Sequence, residues 1–262
     1  MLLASCEGAF GWMYDEPAPE AEPDVPAPVV NPDESLTATL YVEANAWGEW
    51  HYIDLPAVVA LLRKDPKADI NALWTMRPIP MEATGPTETE TGHRRTGQYL
   101  YWFDTNYGLP IRGSEFRSFT PTAAQDDPEA WSFAVHRSEV RTNGGAVWAS
   151  TLTDIDRATE ADYRSASYTP DDWSENEVWS DSRTMISQLV PSQGIAINRV
   201  LGSWLRMTLM PDYERDGRVF FLRLKDGTYA ALQLINHIGG GTPENPSPIR
   251  CYLTIKMRYP LP

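Results

Sequence analysis

The stretch Trp131–Ser150, WSFAVHRSEVRTNGGAVWAS, decides how the rest of the sequence is interpreted. Its first half alternates as a β-strand does, with Trp131, Phe133, Val135 and Arg137 on one face and Ser132, Ala134 and His136 on the other. The segment Thr142–Gly145 follows, and its Asn and Gly residues adopt positive φ angles at little cost. Ala146–Ala149 then leads into a second strand. The pattern predicts a hairpin that turns at Thr142–Gly145.

The composition of the whole chain favours β structure. Its 262 residues include 10 Trp, 12 Tyr, 22 Pro and 17 Gly, and blocks rich in Ala, Glu, Lys and Leu are absent. Ser35–Ala44 alternates strictly, and Trp47–Leu55 is its expected hairpin partner. Arg250–Tyr259 alternates as well, which places Cys251 on the buried side. We therefore predict an all-β fold, an antiparallel two-layer domain over residues 35–262.

Charge and motifs exclude several classes of function. The net charge of −14 leaves no basic stripe to neutralise phosphates, so nucleic acid is not a predicted partner. No apolar run is long enough to cross a bilayer. The sequence contains no Gly-x-Ser-x-Gly, no His-Glu-x-x-His and no P-loop, and we predict neither catalytic residues nor enzyme activity.

The first 34 residues indicate a tethered protein. Cys6 follows Leu3-Ala4-Ser5, which looks like the lipobox of a bacterial lipoprotein, and the segment before it fits a truncated signal peptide. The segment Asp15–Glu34 is rich in Pro, Ala and acidic residues, so it cannot bury enough apolar surface to fold. We predict a lipid on Cys6, an acidic Pro-rich tether over the rest of residues 1–34, and membrane contact through that anchor alone.

Two stretches carry a resemblance to a known family. WSFAVHRSEVRTNGGAV in the region already quoted, and FFLRLKDGTYAALQL at Phe220–Leu234, resemble the HmuY family of haem-binding surface lipoproteins. Asp156–Thr159 is similar to a further family segment. The resemblance implies an outer-membrane, cell-surface hemophore-like protein that takes haem from host carrier proteins for iron acquisition. It also implies delivery to an outer-membrane haem receptor. Residues from about 75 to 130 depart from the family pattern and are predicted to be an insertion, with an extra hairpin favoured over a separate binding surface.

The resemblance also implies a pair of axial ligands to the haem iron, which are two histidines in some members and two methionines in others. One ligand lies on a loop in mid-chain and the other near the end of a strand that begins with an aromatic residue. In the expected strand Ser203–Met210, Met207 falls on the core face and Met210 on the other face, at the strand end. Met185 lies 25 residues before Met210 and is the candidate for the first ligand.

Other side chains complete the set of candidates. Arg206 is a candidate partner for a haem propionate, because its guanidinium pairs bidentately with carboxylates. His136 resembles a structural histidine of the family and is not predicted to bind iron. Met210 is equally well explained as a filler at the strand end. The alternative function is binding of a glycan or a protein partner, for which the candidate stacking residues are Tyr99, Tyr101, Trp102, Trp173 and Trp179.

Overall fold

A computed structural model of the protein describes residues 26–90, 94–104, 112–179, 188–207, 213–239 and 249–262. Three α-helices occur in these residues: α1 (Leu55–Lys64), α2 (Glu160–Tyr163) and α3 (Arg199–Gly202). The strands in chain order are β1 (Val29–Val30), β2 (Leu36–Glu43), β3 (Glu49–Ile53), β4 (Thr75–Pro78), β5 (Gly97–Asp104), β6 (Arg112–Pro121), β7 (Phe133–His136), β8 (Glu139–Thr142), β9 (Ala146–Ala149), β10 (Thr169–Pro170), β11 (Asp172–Trp179), β12 (Gln188–Ile197), β13 (Leu205–Met207), β14 (Tyr213–Arg215), β15 (Val219–Arg223), β16 (Tyr229–Gly239) and β17 (Ile249–Leu261).

The described strands form four antiparallel sheets. The large sheet has the order β1-β2-β17-β16-β15-β9-β10, and the central sheet has the order β4-β3-β7-β8. The outer sheet has the order β11-β12-β5-β6, while β13 and β14 form a separate two-stranded ribbon. Every pair of neighbouring strands is antiparallel. The predicted all-β antiparallel fold is therefore confirmed.

The main core lies against the inner face of the large sheet. The alternation predicted for the two long strands is confirmed, since their inward side chains are all buried: Leu36, Ala38, Leu40 and Val42 on β2, and Cys251, Leu253, Ile255, Met257 and Tyr259 on β17. Helix α1 adds its apolar face to this core. It begins where the Asp54 side chain accepts a hydrogen bond from the Ala57 backbone N–H, and Pro56 occupies its first turn.

The central sheet is covered on both faces. Ile53, Phe133 and Val135 point into the main core, whereas Trp50 and Tyr52 point the other way. There they pack with side chains of the outer sheet, namely Val178 of β11 and Ile195 and Ile197 of β12. The two predicted layers are the large and the central sheets, and the outer sheet lies behind the second of them.

Polar side chains of the stretch Trp131–Ser150 form hydrogen bonds within the protein. Arg141 on β8 donates two hydrogen bonds to the Asp127 carboxylate, at 2.6 and 3.0 Å, and Tyr52 Oη donates to the same carboxylate at 2.7 Å. Thr142 donates its backbone N–H and its hydroxyl to Asp171, at 2.7 and 2.8 Å. These bonds tie the central sheet to the connections that precede β7 and β11.

The hairpin predicted to turn at Thr142–Gly145 is wrong. β7 pairs with β8 instead, and the turn between them lies at Arg137 and Ser138, where Arg137 has a φ of 54°. The Arg137 backbone N–H donates to Ala44 O, and its guanidinium lies 3.8 Å from the centroid of the Trp47 ring. Contacts from the segment between β2 and β3 therefore hold Arg137 in a left-handed conformation. The sequence at this position contains no turn pattern.

The segment Thr142–Gly145 is a crossover between sheets. It carries the chain from β8 in the central sheet to β9, which pairs with β15 in the large sheet. A Cβ on Gly145 would lie 2.7 Å from Arg223 O, so the backbone passes too close to β15 for any side chain. Glycine is required at position 145 because the backbone lies close to β15. The sequence pattern alone does not distinguish a glycine needed for close packing from a glycine needed for a turn.

The hairpin predicted between Ser35–Ala44 and Trp47–Leu55 is also wrong. β2 pairs with β1 and β17 in the large sheet, whereas β3 pairs with β4 and β7 in the central sheet. The C-terminal strand occupies the place beside β2 that β3 was expected to take. The segment from about 75 to 130 contributes β4 to the central sheet and the β5–β6 hairpin to the outer sheet.

We expect Gly145→Ala to lower the free energy of unfolding by about 1–3 kcal/mol, because the added methyl group overpacks the crossover. Gly48→Ala is the matched control, since a Cβ at Gly48 meets nothing within 4 Å, and it should change stability by less than about 0.5 kcal/mol. Equilibrium urea denaturation measures both values. Equal destabilisation by the two substitutions would contradict the role assigned to Gly145.

Candidate functional site

Both predicted methionine ligands lie in connections between paired strands. Met185 belongs to the connection from β11 to β12, and Met210 to the connection from β13 to β14. These two positions, and Cys6, lie outside the described residues. Arg206 is described on β13, where 70% of its side chain is exposed and its guanidinium pairs with Glu214 at 2.7 Å. The Glu214 carboxylate therefore already pairs with Arg206, the side chain predicted to bind a haem propionate.

The hairpins that carry these connections are attached to neighbouring strands. The β11–β12 and β5–β6 hairpins lie side by side in the outer sheet, where Gln188 at the start of β12 is opposite Phe103. The β13–β14 ribbon is attached to the large sheet, because the Arg215 guanidinium donates to Leu234 O on β16 at 2.9 Å. The connection that contains Met210 thus begins on a ribbon anchored beside β16.

Large apolar side chains are exposed at the ends of two hairpins. Leu189 lies one residue into β12 and is 49% exposed, and Ile235 and Ile238, near the end of β16, are 43% and 40% exposed. β16 is irregular there: its register with β17 shifts on either side of Asn236, whose side-chain oxygen accepts from the backbone N–H groups of His237 and Ile238. Bulges re-aim side chains next to binding sites. An apolar ligand bound at these ends would cover apolar surface that otherwise faces water.

The buried histidines serve the fold. His136 is fully buried, its Nε2 lies 2.8 Å from Trp47 O, and its Nδ1 lies 3.3 Å from Glu139 Oε2. Both ring nitrogens are engaged, which agrees with a structural role for this residue. His51 is also buried, and its Nε2 lies 3.5 Å from Glu49 Oε1. Neither imidazole is open to an external metal.

The aromatic residues suggested for glycan stacking do not form one exposed surface. Tyr99 is fully buried in the outer sheet, and Tyr101 is buried with its hydroxyl 3.3 Å from Glu175 Oε2. Burial and the neighbouring Glu175 raise the pKa of Tyr101 to about 12, so its hydroxyl remains a donor at neutral pH. Trp102 and Trp173 are half-buried, and Trp179 is the last residue of β11.

Trp173 and Tyr101 nevertheless line a pocket with residues that the sequence analysis did not identify. This β11 pocket, of about 260 Å³, is bounded by Arg94, Tyr101, Trp173, Ser174, Glu175, Asn176 and Arg199. A larger pocket of about 540 Å³ lies beside the start of α1, between Trp131 and Lys225. Its lining contains no Met or His, so it offers no axial ligand to a haem iron.

The described part of the chain shows no other metal-binding arrangement. Within it, no group of three or more His, Cys, Asp or Glu side chains could hold a metal ion. None of the helices in these residues is long and apolar enough to span a bilayer.

The fold is shared with solved all-β proteins from Bacteroides and Tannerella. A protein from Bacteroides vulgatus, described as HmuY-like and haem-binding, shares it with a TM-score of 0.54 and 22% identity, over 86% of this chain and 93% of that one. A lipoprotein from Bacteroides fragilis gives 0.57 and 20%, over 90% and 96%. The apo form of a HmuY analog from Tannerella forsythia gives 0.58 and 14%, over 91% and 100%.

Sequence comparison identifies the family. The chain matches the HmuY protein family over residues 46–249, and it belongs to that family. No curated protein sequence matches it. The match includes both stretches from which the resemblance was inferred, as well as the connections that contain Met185 and Met210.

We expect the free energy of unfolding to fall as the pH decreases from about 7 to about 5, in part because of His51. Burial lowers the pKa of His51, Glu49 opposes this effect, and His136 adds to it. The unfolded chain therefore binds a proton at this residue before the folded protein does, and acid favours unfolding. His51→Gln should reduce the pH dependence over this range. Parallel stability curves for the two proteins, measured by urea denaturation, would contradict the assignment.

Proposed function

We propose that the protein binds haem at the ends of its hairpins. Membership of the HmuY family carries the proposal, and exposed residues of the described part of the chain support it. Exposed Leu189, Ile235 and Ile238 provide apolar surface at hairpin ends, as a porphyrin ring requires. In the sequence, the two methionines predicted as ligands fall between paired strands, Met185 between β11 and β12 and Met210 between β13 and β14.

The proposed axial ligands are Met210 and Met185. Haem bound in this way supplies a redox-active iron, and soft, uncharged thioether ligands favour its ferrous state. Imidazole alternatives are few: of the histidines in the described residues, His51 and His136 are buried, and His237 lies near the outer end of β16. To be oriented by Arg206, a haem propionate would have to compete with Glu214 for the Arg206 guanidinium.

We further propose that the protein acts at the outer membrane in haem acquisition. Lipidation of Cys6 would hold it at the cell surface, and the acidic, Pro-rich segment after this residue would extend the domain from the membrane. Haem would come from host carrier proteins and pass to an outer-membrane receptor. A likeness to a lipoprotein of Bacteroides fragilis supports the anchor.

Titration of the full chain with haem tests the ligands. We expect saturable binding with a sharp Soret band, tighter after reduction with dithionite, and a loss of affinity of about tenfold or more in Met210→Ala and in Met185→Ala. Met81→Ala is the matched control, because Met81 is an exposed methionine that lies between β4 and β5. Broad absorbance that does not saturate would refute haem binding. Unchanged affinity in both ligand variants would refute methionine ligation.

Haem affinity should stay constant between about pH 7.5 and pH 5.5, because a thioether does not titrate and a free imidazole has a pKa of about 6.5. Haem titrations at several pH values measure this dependence. His237→Ala is the informative companion. Weakening on acidification that disappears in this variant would identify an imidazole ligand and contradict the proposed methionine pair.

A further inference from the structure

The edge strand β11 is irregular between Ser174 and Val178. Ser174 pairs with Ile195 and Val178 pairs with Gln193, so four steps along β11 correspond to two steps along β12. Two extra residues are therefore accommodated between Ser174 and Val178. β-Bulges at sheet edges commonly re-aim side chains towards a binding site. Here the irregular segment supplies Glu175 and Asn176 to the β11 pocket.

Glu175 is held rigidly on the wall of this pocket. Its Oε1 accepts from the Arg94 backbone N–H at 2.8 Å and from Trp173 Nε1 at 3.1 Å. Its Oε2 accepts from the Tyr101 hydroxyl at 3.3 Å. Three donors from β5, β11 and the segment before β5 thus fix one carboxylate. The pocket is preorganised, which lowers the entropic cost of binding a small polar ligand.

The charges around the pocket compensate each other. Arg199 donates to Glu177 at 2.6 Å and to Asp172 at 3.4 Å, and Arg94 donates to the same Asp172 carboxylate at 3.1 Å. Both guanidinium groups are thus committed to carboxylates of this protein. A strongly anionic ligand would have to displace those carboxylates, and a cationic ligand would meet the two arginines.

We propose that the β11 pocket binds one ring of a neutral sugar. The half-buried indole of Trp173 offers an apolar surface on which a sugar ring can stack. Glu175 and Asn176 line the same pocket with groups that can exchange hydrogen bonds with hydroxyls. The pocket has a volume of about 260 Å³, which has room for one sugar ring.

This site differs from the proposed haem site. None of the residues that line the β11 pocket is a predicted iron ligand. The pocket lies where Trp173 and Ser174 pair with Ala196 and Ile195, whereas the connection that contains Met185 follows the other end of β11. Its chemistry is polar, whereas a porphyrin needs apolar surface. The inference therefore stands or falls independently of haem binding.

Isothermal titration of the full chain with glucose, galactose, mannose and N-acetylglucosamine tests the proposal. We expect saturable binding of at least one of these sugars, weakened about tenfold or more in Trp173→Ala and in Asn176→Ala. Trp102→Ala is the matched control, because Trp102 is a half-buried tryptophan of the same sheet that does not line the pocket, and its affinity should be unchanged.

The Asn176→Ala variant keeps the test valid if Trp173→Ala fails to fold, since Asn176 contributes no large apolar side chain. Absence of saturable binding by all four sugars would overturn the proposal. Sugar affinity that is unchanged in Asn176→Ala would overturn it as well. Tighter binding of sodium sulfate or tetramethylammonium chloride than of any sugar would assign the pocket to a charged ligand instead.

Discussion

Burial of the central sheet on both faces is the constraint on which the rest of the structure depends. Polar side chains on strands with so little exposed surface are stabilised by partners inside the protein. Arg141 is paired with Asp127, and Thr142 with Asp171. The partners lie in the connections before β7 and β11, which positions those connections and the outer sheet behind them.

The sequence is informative about strands and less so about which strands pair. One buried face produces a period of two, and the inward sets on β2 and β17 follow it directly. Pairing depends on contacts between residues far apart in the chain: β17, not β3, lies beside β2, and a tryptophan from the segment before β3 supports the turn at Arg137. Alternation of apolar and polar residues does not identify which distant strands pair.

The same distinction applies to the functional sites. A ligand that occupies a connection can be suggested from one short motif, as with Met185 and Met210. The β11 pocket could not be predicted in this way. Arg94, Glu175 and Arg199 come from three separate segments and come together only in the folded protein. The sequence does show Trp173 as an aromatic candidate, but not the two extra residues of β11 that bring Glu175 and Asn176 beside it.

The irregularity in β11 also has a consequence for how this family can diversify. Side chains on a strand alternate with a period of two, so an insertion of one residue would exchange the two faces of everything that follows. An insertion of two residues preserves them: Val178 still points into the cluster that contains Trp50, and β12 keeps its pairing with β5. Related chains can thus lengthen or shorten this segment in steps of two, and remodel a recognition surface while the sheet that supports it remains intact.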